Sequence, residues 1–168
     1  MHISRIAIIA AIDEKRGLGK NNDLLFKIKE DHQRLRKLTN GHPLVMGRRT
    51  FDSFPGLLPN RTHIVVTRNP HVYDDAEVKP HIIVSSLEEG IEEAKKAEGS
   101  DEIFIFGGGQ IFTEAIEKDL IDRLYLTIVK GDYNADTFFP EYSQFSTVIY
   151  NEDKEEGKYT YTFITLEK

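Results

Sequence analysis

A carboxylate placed on the apolar face of a helix is a candidate for chemistry, and Asp31 is one. In the stretch LLFKIKEDHQRLRKL, residues 24–38, Ile28, Leu35 and Leu38 recur at helical spacing and share one face. Asp31 falls on that same face, three residues after Ile28 and four before Leu35. Such a side chain points at whatever the stripe buries. Burial raises its pKa or demands a donor-rich partner, which is the profile of a proton-transfer or ligand-anchoring acid. An acid in the first turn of a helix is also favoured by the helix dipole, so position alone admits a purely structural role.

Three other stretches carry residues suited to an anionic ligand. IFIFGGGQIF (103–112) runs an apolar strand into Gly107, Gly108 and Gly109 ahead of a helical pattern. Glycine lets a backbone approach a ligand closely, and a helix start offers free N–H groups to phosphate. A tight strand-to-helix turn would also use glycine, and the spacing is neither a Walker loop nor G-x-G-x-x-G. VMGRRTFDSF (45–54) puts Gly47, Arg48, Arg49 and Thr50 at a strand end and helix start. Arginine there opposes the macrodipole unless an anion binds; two solvated surface arginines are the plain alternative. VVTRN (65–69) delivers Thr67 and Arg68 at another strand end. Ligands of open α/β sheets bind beyond the carboxyl ends of strands, and two basic strand ends with a triglycine suit a ligand with several phosphates, such as a dinucleotide. DEKRGLGKNND (13–23) is a polar, glycine-bearing segment long enough to act as a lid. The six histidines show no metal-ligand spacing, so no metal site is expected. The basic residues Lys27, Lys29, Arg34, Arg36 and Lys37 fall mostly off the apolar stripe, as a solvated helix face would.

These residues must be held by an α/β scaffold. Short apolar runs at 5–12, 43–47, 63–67, 81–85, 102–107 and 123–129 read as strands covered on both faces. Helical patterns lie between them at 27–39, 48–54, 86–98 and 109–118, and Ser86 with Glu89 makes a capping box for the third. Alternation of strand and helix implies a largely parallel sheet with right-handed crossovers. FSTVIYNE and KYTYTFITLE, joined by DKEEG, read as a terminal antiparallel hairpin. The 168 residues are most simply one domain, 1–168. A net charge of −6 argues against nucleic acid as a main partner. No apolar run is long enough to span a bilayer. The N-terminus lacks a signal-peptide layout and cysteine is absent, so a cytoplasmic protein without disulfide or thiol chemistry is expected.

Taken in order, AAID, GLGKNNDLL, KEDHQRL, VMGRRTFDSF, LPNRTHIVVTRN, IFGGGQIF, LYLTIV and ADTFFP resemble the dihydrofolate reductases of the chromosomal bacterial and eukaryotic type, from about residue 5 to 140. The resemblance implies an eight-stranded, mostly parallel sheet flanked by about four helices in three layers, with a C-terminal antiparallel hairpin. It implies NADPH as cofactor, hydride transfer to C6 of 7,8-dihydrofolate and protonation at N5, and a monomer that antifolates would target. Asp31 matches the family's active-site acid, Thr127 the threonine that supports it, and Phe26 an aromatic wall of the catalytic site. Ile9, Ala11, Leu24, Leu35, Phe54, Leu58, Phe106 and Phe112 match residues around the substrate, and Arg61 the arginine that pairs with the folate α-carboxylate. Ala11, Leu18, Gly19, Asn22, Gly47, Arg48, Arg49, Thr50, Thr67, Arg68, Gly107, Gly108, Gly109, Gln110 and Ile111 match cofactor segments, with a cis peptide expected between Gly107 and Gly108. Arg48, Arg49 and Arg68 would favour the 2′-phosphate.

The chain departs from the family pattern at a few positions. Leu25 and Phe26 stand where Pro-Trp is usual, and the chain has no tryptophan. Phe26 keeps an aromatic wall but loses the indole N–H, and Leu25 loses proline's fixed φ. His32 stands where an apolar residue or second acid often sits, and Phe112 where tyrosine is common. A reductase of another dihydropterin or of a riboflavin-pathway pyrimidine, or a catalytically silent pterin- or nucleotide-binding module, would share much of this pattern. Asp31 in its helix and Arg61 favour a pterin with a tail carboxylate.

Overall fold

A computed structural model describes residues 3–21 and 23–168. The first half contributes β1 (Arg5–Asp13), β2 (Gly17–Lys20), β3 (Asp23–Leu24), α1 (Lys29–Thr39), β4 (Leu44–Gly47), α2 (Arg48–Asp52), β5 (His63–Val66) and β6 (Ile82–Val84). The second half contributes α3 (Leu87–Ala94), β7 (Glu102–Gly107), α4 (Gly109–Glu117), β8 (Arg123–Val129), β9 (Thr137–Phe138), β10 (Thr147–Glu156) and β11 (Tyr159–Glu167). Eight strands form one sheet in the order β10-β11-β8-β1-β7-β4-β5-β6. The six from β8 to β6 run parallel; β11 runs antiparallel to β8, and β10 antiparallel to β11. No described helix is long and apolar enough to cross a membrane.

The continuous apolar runs have the structural cause expected of them. Successive side chains of β1 alternate between two apolar layers: Ala7 and Ile9 enter one, Ile8 and Ile12 the other. The layer around Ile8 takes Leu87, Ile91 and Ala94 of α3 and Phe112, Ala115 and Ile116 of α4. The layer around Ile9 takes Leu35 and Leu38 of α1 and Phe51 of α2. A third cluster, Phe26, Ile28, Val129, Tyr161 and Phe163, sits where the hairpin meets the start of α1. The strands β4, β5, β7 and β1 therefore end side by side, between helices on both faces, as a ligand cleft in an open sheet requires.

Boundaries differ from the sequence reading in informative ways. Helix α1 starts two residues late, and α3 ends at Ala94 rather than 98. Ser86 does accept the Glu89 N–H, at 3.1 Å, but the Glu89 side chain bonds the Ser85 hydroxyl, so only half of the capping box forms. The segment DKEEG is not the hairpin turn. Asp153 to Glu156 continue β10 and pair with Tyr159 to Thr162, and the turn is Gly157–Lys158, with Gly157 at φ +60°. An edge strand tolerates charged residues facing water, which hides it from a hydrophobic pattern. The lid segment also contains strands: β3-β2-β9 form a second, three-stranded sheet.

His63, at the start of β5, is fully buried. Burial, with His81 beside it, pushes its pKa down to about 4. The unfolded chain takes a proton near pH 6.5 that the folded chain refuses until about pH 4, so stability rises with pH across that window. His63 should therefore cost the fold up to about 3 kcal/mol as pH falls from 6.5 to 4. Denaturant unfolding of His63→Asn should lose that part of the acid sensitivity; an unchanged pH dependence would place the acid sensitivity elsewhere.

Candidate active site

The apolar stripe of α1 explains why an acid can face inward. Ile28 belongs to the cluster at the hairpin, Leu35 and Leu38 to the layer under the sheet, and Asp31 lies at the seam between them. There its carboxylate accepts the hydroxyl hydrogen of Thr127, a residue 2% exposed on β8. Thr127 stands opposite Ala11, and Tyr125 opposite Ile9, in the β1–β8 register. Burial pushes the Asp31 carboxyl above its ordinary range, against the opposing pull of the Thr127 hydrogen bond and of His32 and Arg34. Arg34 does not reach across to cancel the charge: its guanidinium lies 4.4 Å from the Phe163 ring centre.

A distant glutamate sets this helix in place. Ile28 stands at the N-cap and contributes no capping side chain. The Glu156 carboxylate, from the end of β10, accepts the N–H groups of Lys29 and Glu30 at 2.8 and 3.1 Å. Tyr161 on β11 donates to Glu30 at 3.2 Å, and Lys154 pairs with Glu30 at 3.1 Å. Orphan helix N–H groups need such partners, and an anion complements the dipole there. Sequence reasoning did not name Glu156, which lies 126 residues from Glu30; the one local signal was the lack of any capping residue at position 28.

Leu35, Phe54, Leu58 and Phe106 are all half-buried against the layer around Ile9. Phe26 is 6% exposed and meets Tyr133 and Tyr159 edge-on, with ring centres 4.9 and 6.1 Å away. Leu24 is exposed at 65% beside a cleft of about 500 Å3 that also includes His32. Beyond α1, a second cleft of about 720 Å3 is lined by Arg36, Lys37, Asn40, Leu58 and Arg61. Arg61 donates Nε to Thr39 and its two terminal nitrogens to the carbonyls of Pro59 and Arg36, at 3.0, 2.5 and 2.7 Å. One N–H remains on each terminal nitrogen.

The glycine loop lies next to the start of α2. The Gly107–Gly108 peptide is cis, as the family pattern implied. A Cβ on Gly108 would meet only the Thr50 hydroxyl, at 3.8 Å, and one on Gly47 would lie 3.6 Å from the Gly107 carbonyl. Helix α4 begins at Gly109; its first intrahelical bond is Phe112 N–H to Gly108 C=O, so the N–H groups of Gly109, Gln110 and Ile111 stay available. Arg48, Arg49 and Arg68 are exposed, and none forms an ion pair with a carboxylate among the described residues. Thr67 directly follows β5, Gln110 lies in the first turn of α4, and Ile111 packs against Gly47. Phe112, by contrast, is 3% exposed in the opposite core layer, where its ring touches the position a Gly107 Cβ would take. Asn22 lies outside the described residues.

The segment 13–23, expected from the sequence to act as a lid, is tied down at both ends. Buried Asp13 accepts the N–H groups of Lys15, Gly17 and Tyr133 at 2.8, 2.7 and 2.9 Å. Asp136 accepts the Asn21 N–H at 2.9 Å and donates its own N–H to Gly19 at 3.0 Å. Leu18, Thr137 and Phe138 then come within 4 Å of the position a Gly109 Cβ would take.

The inward-facing acid on α1 and the glycine loop at the start of α4 are matched by what the chain is similar to. The family profile described as Dihydrofolate reductase matches residues 5–168. The chain belongs to the dihydrofolate reductase family. The dihydrofolate reductase of Bacillus subtilis (strain 168) is 35% identical over 167 residues, spanning 97% of this chain and 94% of that protein. That of Staphylococcus haemolyticus is 33% identical over 137 residues, 81% of this chain and 76% of that protein. The solved structure of Enterococcus faecalis dihydrofolate reductase complexed with NADP(H) and RAB-propyl superposes with a TM-score of 0.81 at 31% identity, covering 97% of this chain and 95% of that one.

The Glu156 carboxylate, by repulsion, also pushes the Asp31 pKa upward. Glu156→Gln keeps an acceptor oxygen for the helix but removes the charge. The Asp31 carboxyl, followed by 13C NMR, should then titrate at lower pH than in the parent chain. An unmoved midpoint would limit Glu156 to capping.

Proposed function

We propose that this chain reduces 7,8-dihydrofolate to 5,6,7,8-tetrahydrofolate with NADPH, and that Asp31 is the acid on which proton delivery to N5 depends. The observation that carries the assignment of the acid is the Asp31–Thr127 pair, a carboxylate held at the seam of two apolar clusters and facing the strand ends. NADPH, when bound, supplies the hydride that reaches C6. The residues present fit it: the cradle of Gly47, Gly107 and Gly108, the open N–H groups of α4 and the unpaired Arg48, Arg49 and Arg68 suit a pyrophosphate and a further phosphate. Thr50, Thr67, Gln110 and Ile111 complete that side, and Leu18 and Gly19 of the lid cover it.

The chain's own groups divide the rest of the work. Thr127 satisfies one oxygen of Asp31 and fixes the plane of the carboxylate, leaving the other oxygen to accept N–H groups of the pterin. Ile9, Ala11 and Phe106 bring strand-end backbone to the pterin rim, and Phe26 and Leu24 close the lid side. Leu35, Phe54 and Leu58 exclude water around the aminobenzoyl ring, which strengthens every polar contact inside. Arg61 presents its fork to the tail carboxylate. Burial keeps the Asp31 proton at higher pH than a surface carboxyl would. We read the protein as a single-domain cytoplasmic monomer whose cleft, anchored by Asp31, is also open to antifolates.

The test is NADPH oxidation in the presence of dihydrofolate; no dihydrofolate-dependent rate would sink the assignment. The rate should fall as pH rises through the Asp31 pKa, because the proton is lost. Asp31→Asn should be slower by about 100-fold or more at pH 7, and an undiminished rate would remove Asp31 from the mechanism. For the cofactor, Arg68→Ala should lower kcat/KM for NADPH and leave that for NADH, narrowing the ratio about tenfold. An unchanged ratio would take the 2′-phosphate away from Arg68.

A further inference from the structure

The buried imidazole of His63 has no part in the chemistry above, yet three residues of the substrate's distal half converge on it. Its backbone is anchored in the sheet: His63 pairs with Leu44 across β4 and β5, its N–H donates to His81 Nδ1 at 2.9 Å, and its carbonyl accepts the His81 N–H at 3.0 Å. From that fixed base the ring spans the loop that follows α2. Nε2 lies 3.1 Å from the backbone nitrogen of Leu58. That nitrogen is a donor, so Nε2 is the acceptor and the ring hydrogen sits on Nδ1. Nδ1 in turn lies 3.2 Å from the Arg61 carbonyl. The same ring meets Phe54 edge-on, with centres 6.3 Å apart.

We propose that His63 is a positioning residue for the carboxylate-bearing tail of the substrate, its neutral imidazole pinning Leu58 and Arg61 so that the Arg61 fork faces the cleft. The inference rests on the reading of Arg61 as the tail partner. The geometry gives the ring a task that an apolar core residue could not do. The loop between Phe54 and Arg61 has no regular structure of its own. Its two functional positions are three residues apart, and one donor and one acceptor on a single rigid ring hold both. The Arg61 side chain is separately tied to Thr39 and to the carbonyls of Pro59 and Arg36, and its flanking backbone is held by Asn60 C=O to Gly41 N–H and Thr62 C=O to Leu44 N–H, so the His63 contact fixes the carbonyl of Arg61 itself. A ring that is neutral at working pH keeps the acceptor on Nε2; a second proton there would face the Leu58 N–H, donor against donor.

A purely structural His63 and a positioning His63 differ in which substrate notices its loss. The chain and its His63→Leu, His63→Gln and His63→Asn variants are assayed with NADPH against dihydrofolate and against 6-methyl-7,8-dihydropterin, which lacks the aminobenzoyl-glutamate tail. His63→Leu should raise KM for dihydrofolate about tenfold, the loss of one charge-assisted contact. Its kcat should stay within about twofold, as should kcat/KM for the tail-less dihydropterin. Glutamine can keep the acceptor near Leu58 and asparagine the donor near Arg61, so each should show a smaller rise, and these two carry the test if the leucine variant does not fold. Equal losses on both substrates, or an unchanged KM for dihydrofolate in folded variants, would overturn the inference. Arg61→Ala separates the two layers. If it raises KM for dihydrofolate while the His63 variants do not, only the role of His63 falls. If Arg61→Ala also leaves KM unmoved, the tail reading falls and the inference with it.

Discussion

A carboxylate facing the inside of a protein is the constraint around which this structure is arranged. Charge taken out of water is costly unless hydrogen bonds replace its hydration, and Asp31 receives one such bond, from Thr127. That arrangement needs α1 to sit at one height and one rotation against β8. A slip of one residue would turn Asp31 to solvent and put a neighbour, Glu30 or His32, in its place. The helix is therefore held from both ends: Leu35 and Leu38 press its second half into the sheet, and the hairpin grips its first turn through Glu156, Tyr161 and Lys154. The C-terminal hairpin, remote in sequence, is in this sense part of the active site's frame.

What could be read in the sequence follows from the range of the forces involved. The strands Glu102–Gly107 and Arg123–Val129 were legible to the residue, because a strand buried on both faces must be apolar throughout, and the turns that bound it are local. Asp31 was legible because one carboxylate interrupts an otherwise regular stripe. The roles expected of Arg61 and Phe26 came from family likeness, since nothing in their local sequence marks them. The small sheet in the lid was not legible. Gly17–Lys20 has no apolar alternation, and its strand character comes from pairing with Thr137–Phe138, more than a hundred residues away. Glu156 and His63 were missed for the same reason: each acts on backbone groups, and backbone groups leave no trace in residue identity.

The position of Leu25 and Phe26 shows how such a scaffold absorbs a change at its most constrained point. Where the family pattern has proline and tryptophan, this chain places a phenylalanine that is almost fully buried between Tyr133 and Tyr159. Edge-on aromatic contacts of this kind add roughly 0.5–1.5 kcal/mol beyond burial itself. The two tyrosines thus fix the Phe26 ring on two sides. What they do not supply at that spot is an indole N–H. Tyr133 is also tethered through its N–H to Asp13, the residue that ties down the start of the lid. The aromatic wall and the lid are consequently one mechanical unit. A change in the ring at position 26 would be felt at Asp13 and Gly17 before it reached the glycine loop, because Tyr133 touches both the ring and the tether while Gly107–Gly109 lie across the cleft.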